Sequence, residues 1–381
     1  MTYGTEINVD LKVVQRGLVF SHDDPDSVQR VACYPSLARL SDGRILCTFR
    51  VGQTKSGPDE NIRIAQSEDE GQSWQLLPFV PDTTLNGMPG SLSLGHLVET
   101  SPGHLLLVAS WINRADPTLP ISHPETGGCL ELRLVKSHSS DGGNSWSAIE
   151  EISNVPFPQP EVSGPIITLS TPGHLLLPME NQKHFGDPDP IDEKCYALLS
   201  FDGGKTWPEW AMIAHDFPHR KFWCNRIARF PSGKLACISW TFDEKTQSDL
   251  PLHLSFGSPD GRTWSTPAST GVQGQVSYLF PLDENALLMA TSHRESPAGI
   301  RLRQSHDGGS TWDGDGLLIF DAESQASHSG GDLGSYYQLM TDYTFGWAPM
   351  LRLKDGSILL VHFAGATEAI DIHWVKIAAL N

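Results

Sequence analysis

The side chains best suited to acid–base chemistry in this sequence are carboxylates at the ends of apolar segments. Asp59 and Glu60 follow one such segment, and Glu180 and Asp243 lie at the ends of two others. A carboxyl group can donate or accept a proton, and enzymes use such groups in pairs when one must be charged and the other neutral. These four residues are therefore candidate catalytic groups.

A second set of side chains has the character of a sugar-binding surface. Aromatic rings can stack on the apolar faces of a sugar, while a few charged or amide groups bind its hydroxyls. The candidate binding residues are Tyr34, Arg50, His96, Trp111, Arg114, Glu161, His184, Asn225, Arg226, His293, Arg294 and Trp347. Their spacing along the chain requires a fold that brings distant segments together, and a carbohydrate is the expected partner.

Six apolar hairpins are the elements that would position these groups. Each has an apolar segment, a turn that usually contains glycine, and a second apolar segment. The hairpins span residues 34–51, 94–113, 164–181, 224–242, 276–295 and 348–365. The candidate residues lie just before the first strand or just after the second. Because both strands are apolar almost throughout, they suit blades buried on both faces, and the sequence predicts an all-β, six-bladed β-propeller.

A second repeat, Ser-x-Asp-x-Gly-x-x-Trp, is interleaved with the hairpins. Full copies begin at Ser67, Ser139, Ser200 and Ser305, and a copy one residue shorter begins at Ser258. Serine and aspartate side chains can bind the backbone of a tight turn, and glycine supplies a positive φ. The aspartates Asp69, Asp141, Asp202, Asp260 and Asp307 are therefore expected to be structural.

The last hairpin lacks this repeat, which leaves its blade incomplete. A strand pattern at residues 9–20 has no other assignment, and residues 370–377 form a strand pattern near the end of the chain. We expect the two to pair, because ring closure removes an exposed sheet edge. Residues 1–381 would then form one domain.

Composition argues against several classes of protein. The formal charge is −18, and there is no run of lysine or arginine, so nucleic acid and anionic membranes are unsuitable partners. No apolar stretch is long enough to span a bilayer, and the N-terminus does not resemble a secretory signal, so a cytoplasmic location is expected. The six scattered cysteines lack zinc-site spacing and are expected to be buried. Neither a cofactor nor a metal is predicted, and the oligomeric state is left open.

The Ser-x-Asp-x-Gly-x-x-Trp copies resemble the Asp-box (BNR) repeats of the sialidase superfamily, and this resemblance covers nearly the whole chain. It implies a sugar-cleaving enzyme with its site at the central funnel and its Asp boxes at the outer turns. Sialidases use an arginine triad, a Tyr/Glu nucleophile pair and an aspartate acid/base. The aspartate corresponds to Asp59, with Glu60 as the alternative, and Tyr343 lies four residues from the position of the tyrosine.

The sequence departs from the sialidase pattern at several of these positions. Cys33-Tyr34-Pro35 stands where the family has Arg-Ile-Pro, and Trp223-Cys224-Asn225 has no carboxylate where the family has its glutamate. The second arginine falls near Trp240. Because bidentate arginine–carboxylate pairing is central to sialic acid recognition, ordinary sialosides are expected to be poor substrates unless Arg50, Arg226 and Arg294 rebuild the clamp.

Four functions remain compatible with the sequence. An exo-acting glycoside hydrolase other than a sialidase is favoured, since exo-arabinanases share the propeller, lack the arginine triad and use two carboxylates. A true sialidase with a rearranged clamp is the next hypothesis. A polysaccharide lyase would use His184, Tyr343 and Arg226, and a non-catalytic glycan-binding propeller is the fourth.

Overall fold

The protein is built almost entirely from β-strands. The computed structural model describes residues 10–23, 29–325 and 343–379. These ranges contain no α-helix and one 3₁₀ turn, Glu323–Gln325. No helix among them is long and apolar enough to cross a membrane. The all-β class predicted from the hairpins is therefore confirmed.

Four separate antiparallel sheets occupy the middle of the chain, after five strands that open it. The opening strands are β1 (Leu11–Phe20), β2 (Val31–Arg39), β3 (Ile45–Gly52), β4 (Asn61–Ser67) and β5 (Gln75–Leu76). Sheet A contains β6 (Gly90–Ser101), β7 (His104–Asn113), β8 (Leu132–Ser139) and β9 (Glu150–Glu151). Sheet B contains β10 (Pro160–Val162), β11 (Ile167–Thr168), β12 (Leu175–Asn181), β13 (Cys195–Ser200) and β14 (Glu209–Ala214).

The other two separate sheets have four strands each. Sheet C contains β15 (Arg220–Arg229), β16 (Leu235–Asp243), β17 (Ser248–Gly257) and β18 (Ala268–Ser269). Sheet D contains β19 (Ser277–Pro281), β20 (Leu287–His293), β21 (Gly299–Ser305) and β22 (Leu317–Asp321). The final strands are β23 (Phe345–Gly346), β24 (Met350–Arg352), β25 (Ile358–Ala366) and β26 (Ala369–Ala379).

One nine-stranded sheet, here called the closing sheet, unites β1–β5 with β23–β26. β1 pairs antiparallel with β26, with Leu11 opposite Ala379, which is the pairing predicted for residues 9–20. β2 meets β26 through one parallel pair, Val31 with Ile370. The predicted hairpins are all paired, but the propeller has four separate blades rather than six, because hydrogen bonds join the first and last predicted blades into one sheet.

Apolar side chains from neighbouring sheets form the core between them. Leu46, Ile62 and Ile64 of the closing sheet pack with Leu92 and Leu107 of sheet A in one such layer. Strands β3, β12 and β16 are buried along nearly their whole length. The continuous apolar patterns of the hairpins thus reflect strands that are covered on both faces.

The Ser-x-Asp-x-Gly-x-x-Trp copies form hydrogen-bonded turns. In the first copy, Ser67 Oγ donates to Asp69 Oδ1 (2.9 Å). The N–H of Gly71 donates to Ser67 Oγ (2.8 Å), and the N–H of Ser73 donates to Asp69 Oδ1 (2.9 Å). The same three contacts occur in the copies that begin at Ser139, Ser200 and Ser305. All of these aspartates are exposed and serve their own turns, as expected from the residue types.

Candidate active site

A cavity of about 110 Å³ lies where the closing sheet meets sheets A, B and C. Its walls come from both strands of the hairpins and from loops that follow the second strands. The lining includes Tyr34, Arg50 and Trp347 from the closing sheet, Ser93 and Leu94 from sheet A, Glu161 and Glu180 from sheet B, and Trp223, Cys224 and Arg226 from sheet C.

Strained backbone is concentrated at this cavity. Tyr34, Leu94, Cys224 and Trp347 all have positive φ, between 48° and 58°. The first three lie at register shifts in β2, β6 and β15. A bulge re-aims a side chain, and a non-glycine residue in this region costs about 1–3 kcal/mol. The packed sheets hold four such residues around one space, which is typical of a functional site.

Glu161 and Glu180 form a pair of facing carboxyl groups. They are directly opposite each other on the antiparallel strands β10 and β12, and both line the cavity. Opposite residues on such strands point to the same face, with Cβ atoms about 4.5–5.5 Å apart. The strand pairing therefore confines two carboxyl groups to one small space.

Glu180 is held by three hydrogen-bond donors. Its Oε2 accepts from Ser163 Oγ (2.9 Å), from the backbone N–H of Cys224 (3.0 Å) and from Asn225 Nδ2 (3.5 Å). The last two donors belong to the segment where the sialidase pattern has a glutamate and this sequence has none. A carboxylate from the neighbouring sheet B is thus held against this segment of sheet C.

The two carboxyl groups differ in their tendency to ionise. Burial and the nearby Glu180 raise the pKa of Glu161 to about 7. The hydrogen bond that Glu161 accepts from Gln182 Nε2 (2.8 Å) opposes this rise. Burial also raises the pKa of Glu180, while Ser163, Arg226 and the Cys224 amide oppose that effect. Since two adjacent carboxylates repel each other, one proton stays on the pair near neutral pH. The three donors to Glu180 favour placing that proton on Glu161.

Arg50 is paired with a buried carboxylate. Glu60 lies 2.9 Å from Arg50 Nη1 and 3.4 Å from Arg114 Nη2, and all three side chains are buried. Burial raises the pKa of Glu60, whereas the two arginines oppose that rise. Because Glu60 is shared with Arg114, Arg50 brings to the cavity a hydrogen-bond donor whose positive charge is only partly offset.

Arg226 has a different environment. Its guanidinium lies 4.7 Å from the centre of the Trp347 ring and 5.1 Å from that of Tyr278. No carboxylate of the described residues lies within 4.0 Å of it. The positive charge is therefore stabilised mainly by aromatic faces and by the field of the nearby glutamates.

Aromatic rings form much of the remaining wall. The rings of Tyr34 and Trp347 are 4.4 Å apart, and those of Trp223 and Trp240 are 5.4 Å apart in an edge-to-face arrangement. Trp240 Nε1 donates to Asp249 Oδ1 (2.8 Å), which fixes the indole. Such rings offer apolar faces on which a sugar can stack.

Several predicted site residues are brought together. The predicted residues that line the cavity are Tyr34, Arg50, Glu161, Glu180, Arg226 and Trp347. Three further predicted residues contact this lining from behind. Glu60 and Arg114 hold Arg50 and the loop at Ser56, and Asn225 holds Glu180.

The predicted aspartates are not brought to the cavity. Asp59 Oδ2 accepts the backbone N–H of Gln53 (2.8 Å), and Asp243 Oδ1 accepts those of Lys245 (2.9 Å) and Thr246 (2.8 Å). Each carboxylate closes its own loop, and neither lines the cavity. Their positions therefore give no support to catalytic roles for Asp59 or Asp243.

The predicted histidines also lie outside the lining. His96 is buried with its Nδ1 2.9 Å from Ser36 Oγ, and burial together with Arg226 lowers its pKa to about 3. His184 is exposed, and His293 Nδ1 is 3.4 Å from the carbonyl oxygen of Pro297. Of His184, Tyr343 and Arg226, only Arg226 lines the cavity. The set of residues expected for a lyase is therefore not assembled there.

Trp111, Arg294 and Tyr343 have other surroundings. Trp111 is a core residue between the closing sheet and sheet A, and its Nε1 donates to the carbonyl of Thr83 (2.8 Å). Tyr343 stacks beneath the guanidinium of Arg294 at 3.8 Å, and neither residue lines the cavity.

Some lining residues carry no advance signal in the sequence. Ile121, Ser122 and Cys129 come from the loop between β7 and β8, which is held against the loop after β12 by the Cys129 N–H to Lys183 carbonyl bond (2.8 Å). Ser163 and Gln182 could have been found, because each lies two residues after a candidate glutamate. Alternate residues of a strand share a face, so these polar groups follow their glutamates into the site.

The cysteines are dispersed along the chain, as are the potential metal ligands. All six cysteines are free and buried, as expected. The described ranges contain no cluster of three or more histidine, cysteine, aspartate or glutamate side chains arranged to hold a metal ion.

Comparison with solved structures relates the fold to known propellers. A protein of unknown function from Dyadobacter fermentans is 17% identical with a TM-score of 0.73, over 97% of this chain and 99% of that one. A Hadza microbial sialidase is 19% identical with a TM-score of 0.65, over 96% of this chain and 68% of that one. A Penicillium chrysogenum alpha-L-arabinanase complexed with arabinobiose is 16% identical with a TM-score of 0.62, over 97% and 98%.

These likenesses define the class of protein by its fold. The chain has a propeller arrangement similar to that of sialidases and an arabinanase. No protein-family model matches it, and no curated protein matches it in sequence. At identities below 20%, the fold is what the structures share, and any activity must be argued from the site.

Proposed function

We propose that this protein is an exo-acting glycoside hydrolase with Glu161 and Glu180 as its catalytic pair. The observation that carries the proposal is that the half-buried Glu161 and the buried Glu180 face each other across one strand pair, in a cavity walled by aromatic rings. Hydrolysis of a glycosidic bond needs one neutral carboxyl and one carboxylate near the same bond. The different hydrogen bonds of the two glutamates supply that asymmetry.

Glu161 is the proposed general acid. A pKa raised to about 7 keeps its carboxyl protonated at neutral pH, so it can protonate the oxygen of the leaving group. The hydrogen bond from Gln182 Nε2 to Glu161 Oε2 orients the group and leaves Oε1 to carry the proton towards the substrate.

Glu180 is the proposed carboxylate. Three donors bind Oε2, so Oε1 is the oxygen that can approach the anomeric carbon. There it would stabilise the positive charge that develops as the bond breaks, and it is placed to attack that carbon. The short separation implied by directly opposite residues favours a retaining mechanism over an inverting one.

The dimensions of the cavity favour a single terminal sugar. A volume of about 110 Å³ corresponds to the liquid volume of about four water molecules, so the cavity has room for no more than one small sugar ring. Ile121, Ser122 and Cys129 close one side, which supports exo rather than internal cleavage.

The charges of the cavity favour an uncharged sugar. Glu60 offsets part of the positive charge of Arg50, and one proton between two glutamates leaves a single negative charge beside Arg226. The alpha-L-arabinanase complexed with arabinobiose has a similar fold, so arabinose-containing glycans belong among the candidate substrates. Sialoside hydrolysis is the second candidate, favoured by Arg226, which has no carboxylate within 4.0 Å among the described residues.

An aryl glycoside panel tests the proposal. The panel should include arabinofuranose and sialic acid donors, with Glu161→Gln, Glu180→Gln and the exposed control Glu150→Gln. We expect turnover of an uncharged donor, with losses on the order of 10²-fold or more in the first two variants and none in the control. If no donor is cleaved, or if both folded variants keep wild-type rates, the proposal is wrong. Efficient cleavage of the sialoside would favour the second candidate.

We further propose that the closing sheet acts as two blades, which would make a six-bladed, single-domain propeller with Asp-box turns. Only the pair Val31–Ile370 joins β2 to β26, whereas β2–β5 and β23–β26 with β1 each form a connected antiparallel set. The turn hydrogen bonds support the Asp-box assignment. An experimental structure with continuous pairing along β2 and β26 would contradict the two-blade division.

A further inference from the structure

Arg294 is a buried cation outside the proposed catalytic cavity. Its side chain is 3% exposed, and its guanidinium lies 3.8 Å from the centre of the Tyr343 ring. The backbone N–H of Arg294 donates to Gln275 Oε1 (3.1 Å), which fixes the base of the side chain. The strand end and the ring together hold the guanidinium in one position.

The guanidinium of Arg294 is poorly satisfied. Nη2 makes one long hydrogen bond, to the carbonyl of Phe345 (3.4 Å), while Nε and Nη1 have no hydrogen-bond partner. Within residues 10–23, 29–325 and 343–379, no carboxylate lies within 4.0 Å of it. Arg294 lowers the pKa of the carboxyl group of Asp249, but the two oxygens of Asp249 accept hydrogen bonds from Trp240 Nε1 and Gln275 Nε2. Burial of an unpaired charge is costly, so a compensating anion is expected.

Ser292 adds a second buried donor on the same face of the chain. It is fully buried, its Oγ has no hydrogen-bond partner, and it lies two residues before Arg294. The two side chains flank Gly346. A Cβ at Gly346, where φ is +147°, would lie 2.9 Å from Arg294 Nη2 and 3.5 Å from Ser292 Oγ. Any side chain at position 346 would therefore crowd both donors, and glycine leaves them uncovered.

We propose that Arg294 and Ser292 bind a small monovalent inorganic anion, of the size and charge of chloride, beside Gly346. Every unsatisfied atom of the cluster can donate a hydrogen bond, and the cluster carries one positive charge. A halide accepts several hydrogen bonds at once and matches that charge. The bound anion compensates Arg294 and stabilises the packing of sheet D against the closing sheet.

Thermal unfolding at constant ionic strength tests the site with chloride and bromide as probes and gluconate as the replacement anion. We expect a saturable rise in Tm of a few degrees with either halide and none with gluconate, because an anion that binds only the folded state stabilises it. Equal Tm values in all three salts would overturn the proposal, as would a response to ionic strength alone.

Variants locate the response. Ser292→Ala should raise the half-saturating halide concentration several-fold, and Arg294→Met should abolish the halide effect, while the exposed control Arg352→Met should keep it. If Arg294→Met does not fold, Ser292→Ala alone decides, since it leaves the cation in place. An unchanged halide response in folded Ser292→Ala, or a bromide anomalous peak elsewhere in a soaked crystal and none at Arg294, would refute the site.

Discussion

Glu161 and Glu180 have the same side chain but different partners, and this difference is the basis of the proposed mechanism. Glu180 accepts three hydrogen bonds on one oxygen, whereas Glu161 accepts one. Because donors stabilise the charged form, the shared proton belongs on Glu161. The roles of acid and carboxylate thus follow from the environment rather than from residue type.

The pH dependence of the reaction should report the raised pKa of Glu161. A general acid must be protonated, so kcat/KM for a substrate with a poor leaving group should fall about tenfold per pH unit above pH 7. In Glu161→Gln this alkaline limb should be absent. A wild-type rate that stays constant to pH 9, or a limb that survives in the variant, would show that another group donates the proton.

The residue scale also shows what the sequence could and could not predict. Glu161 and Glu180 were accessible as candidates because they lie at the ends of apolar strand patterns. Asp59 fits the family pattern equally well, yet its side chain turns to the N–H of Gln53. The direction of a loop side chain depends on local hydrogen bonds that spacing does not encode, so the structure is needed to choose between these acids.

At the scale of elements, the hairpins were predictable and their irregularities were not. Turn residues and long apolar runs are local signals, and the predicted hairpin at 34–51 corresponds to β2 and β3. The bulges that aim Tyr34, Leu94 and Cys224 into the cavity place tyrosine, leucine and cysteine at positive φ. No local preference favours that conformation in these residues, so only packing between sheets can impose it.

Asp249 links two elements and positions a wall of the cavity. It lies on β17, accepts Trp240 Nε1 from β16 and binds Gln275 before β19. Asp249→Ala should leave Trp240 without its acceptor and raise KM more than it lowers kcat, because the ring contacts substrate rather than the breaking bond. Steady-state kinetics at fixed pH would measure the split. A fall in kcat with unchanged KM would instead place Asp249 close to the chemistry.

The repeat turns should contribute to stability without affecting activity. Asp202 accepts the N–H of Thr206 (2.9 Å) and the hydroxyls of Thr206 (2.6 Å) and Ser200 (2.9 Å). Asp202→Ala removes these acceptors and should lower the free energy of unfolding by about 1–3 kcal/mol. Chemical denaturation and an activity assay would check both parts. Unchanged stability combined with lost activity would contradict a structural role.

At the scale of the whole molecule, β1 joins the beginning of the chain to its end. It pairs with β26 over most of its length and buries Val19 and Phe20. Deletion of residues 1–20 should therefore expose the edge of β26 and remove buried apolar surface worth about 1.5–3 kcal/mol for Phe20 alone. Thermal unfolding and light scattering should show a lower Tm and more aggregation.

Deletion of residues 1–9 is the matched control, because it leaves β1 intact. It should unfold at nearly the wild-type temperature. If both truncations behave alike, β1 does not contribute to closure, and the pairing with β26 would have to be weaker than its register indicates.

The identity of the proton donor is the most direct test of the proposed active site. On the best aryl glycoside series, the ratio of kcat/KM between activated and poor leaving groups should be measured for wild type, Glu161→Gln and Asp59→Asn, after circular dichroism has confirmed folding. We predict that Glu161→Gln loses at least about 10²-fold with poor leaving groups and far less with activated ones, while Asp59→Asn resembles wild type. The opposite pattern, with Asp59→Asn sensitive to the leaving group and Glu161→Gln unaffected, would contradict the assignment.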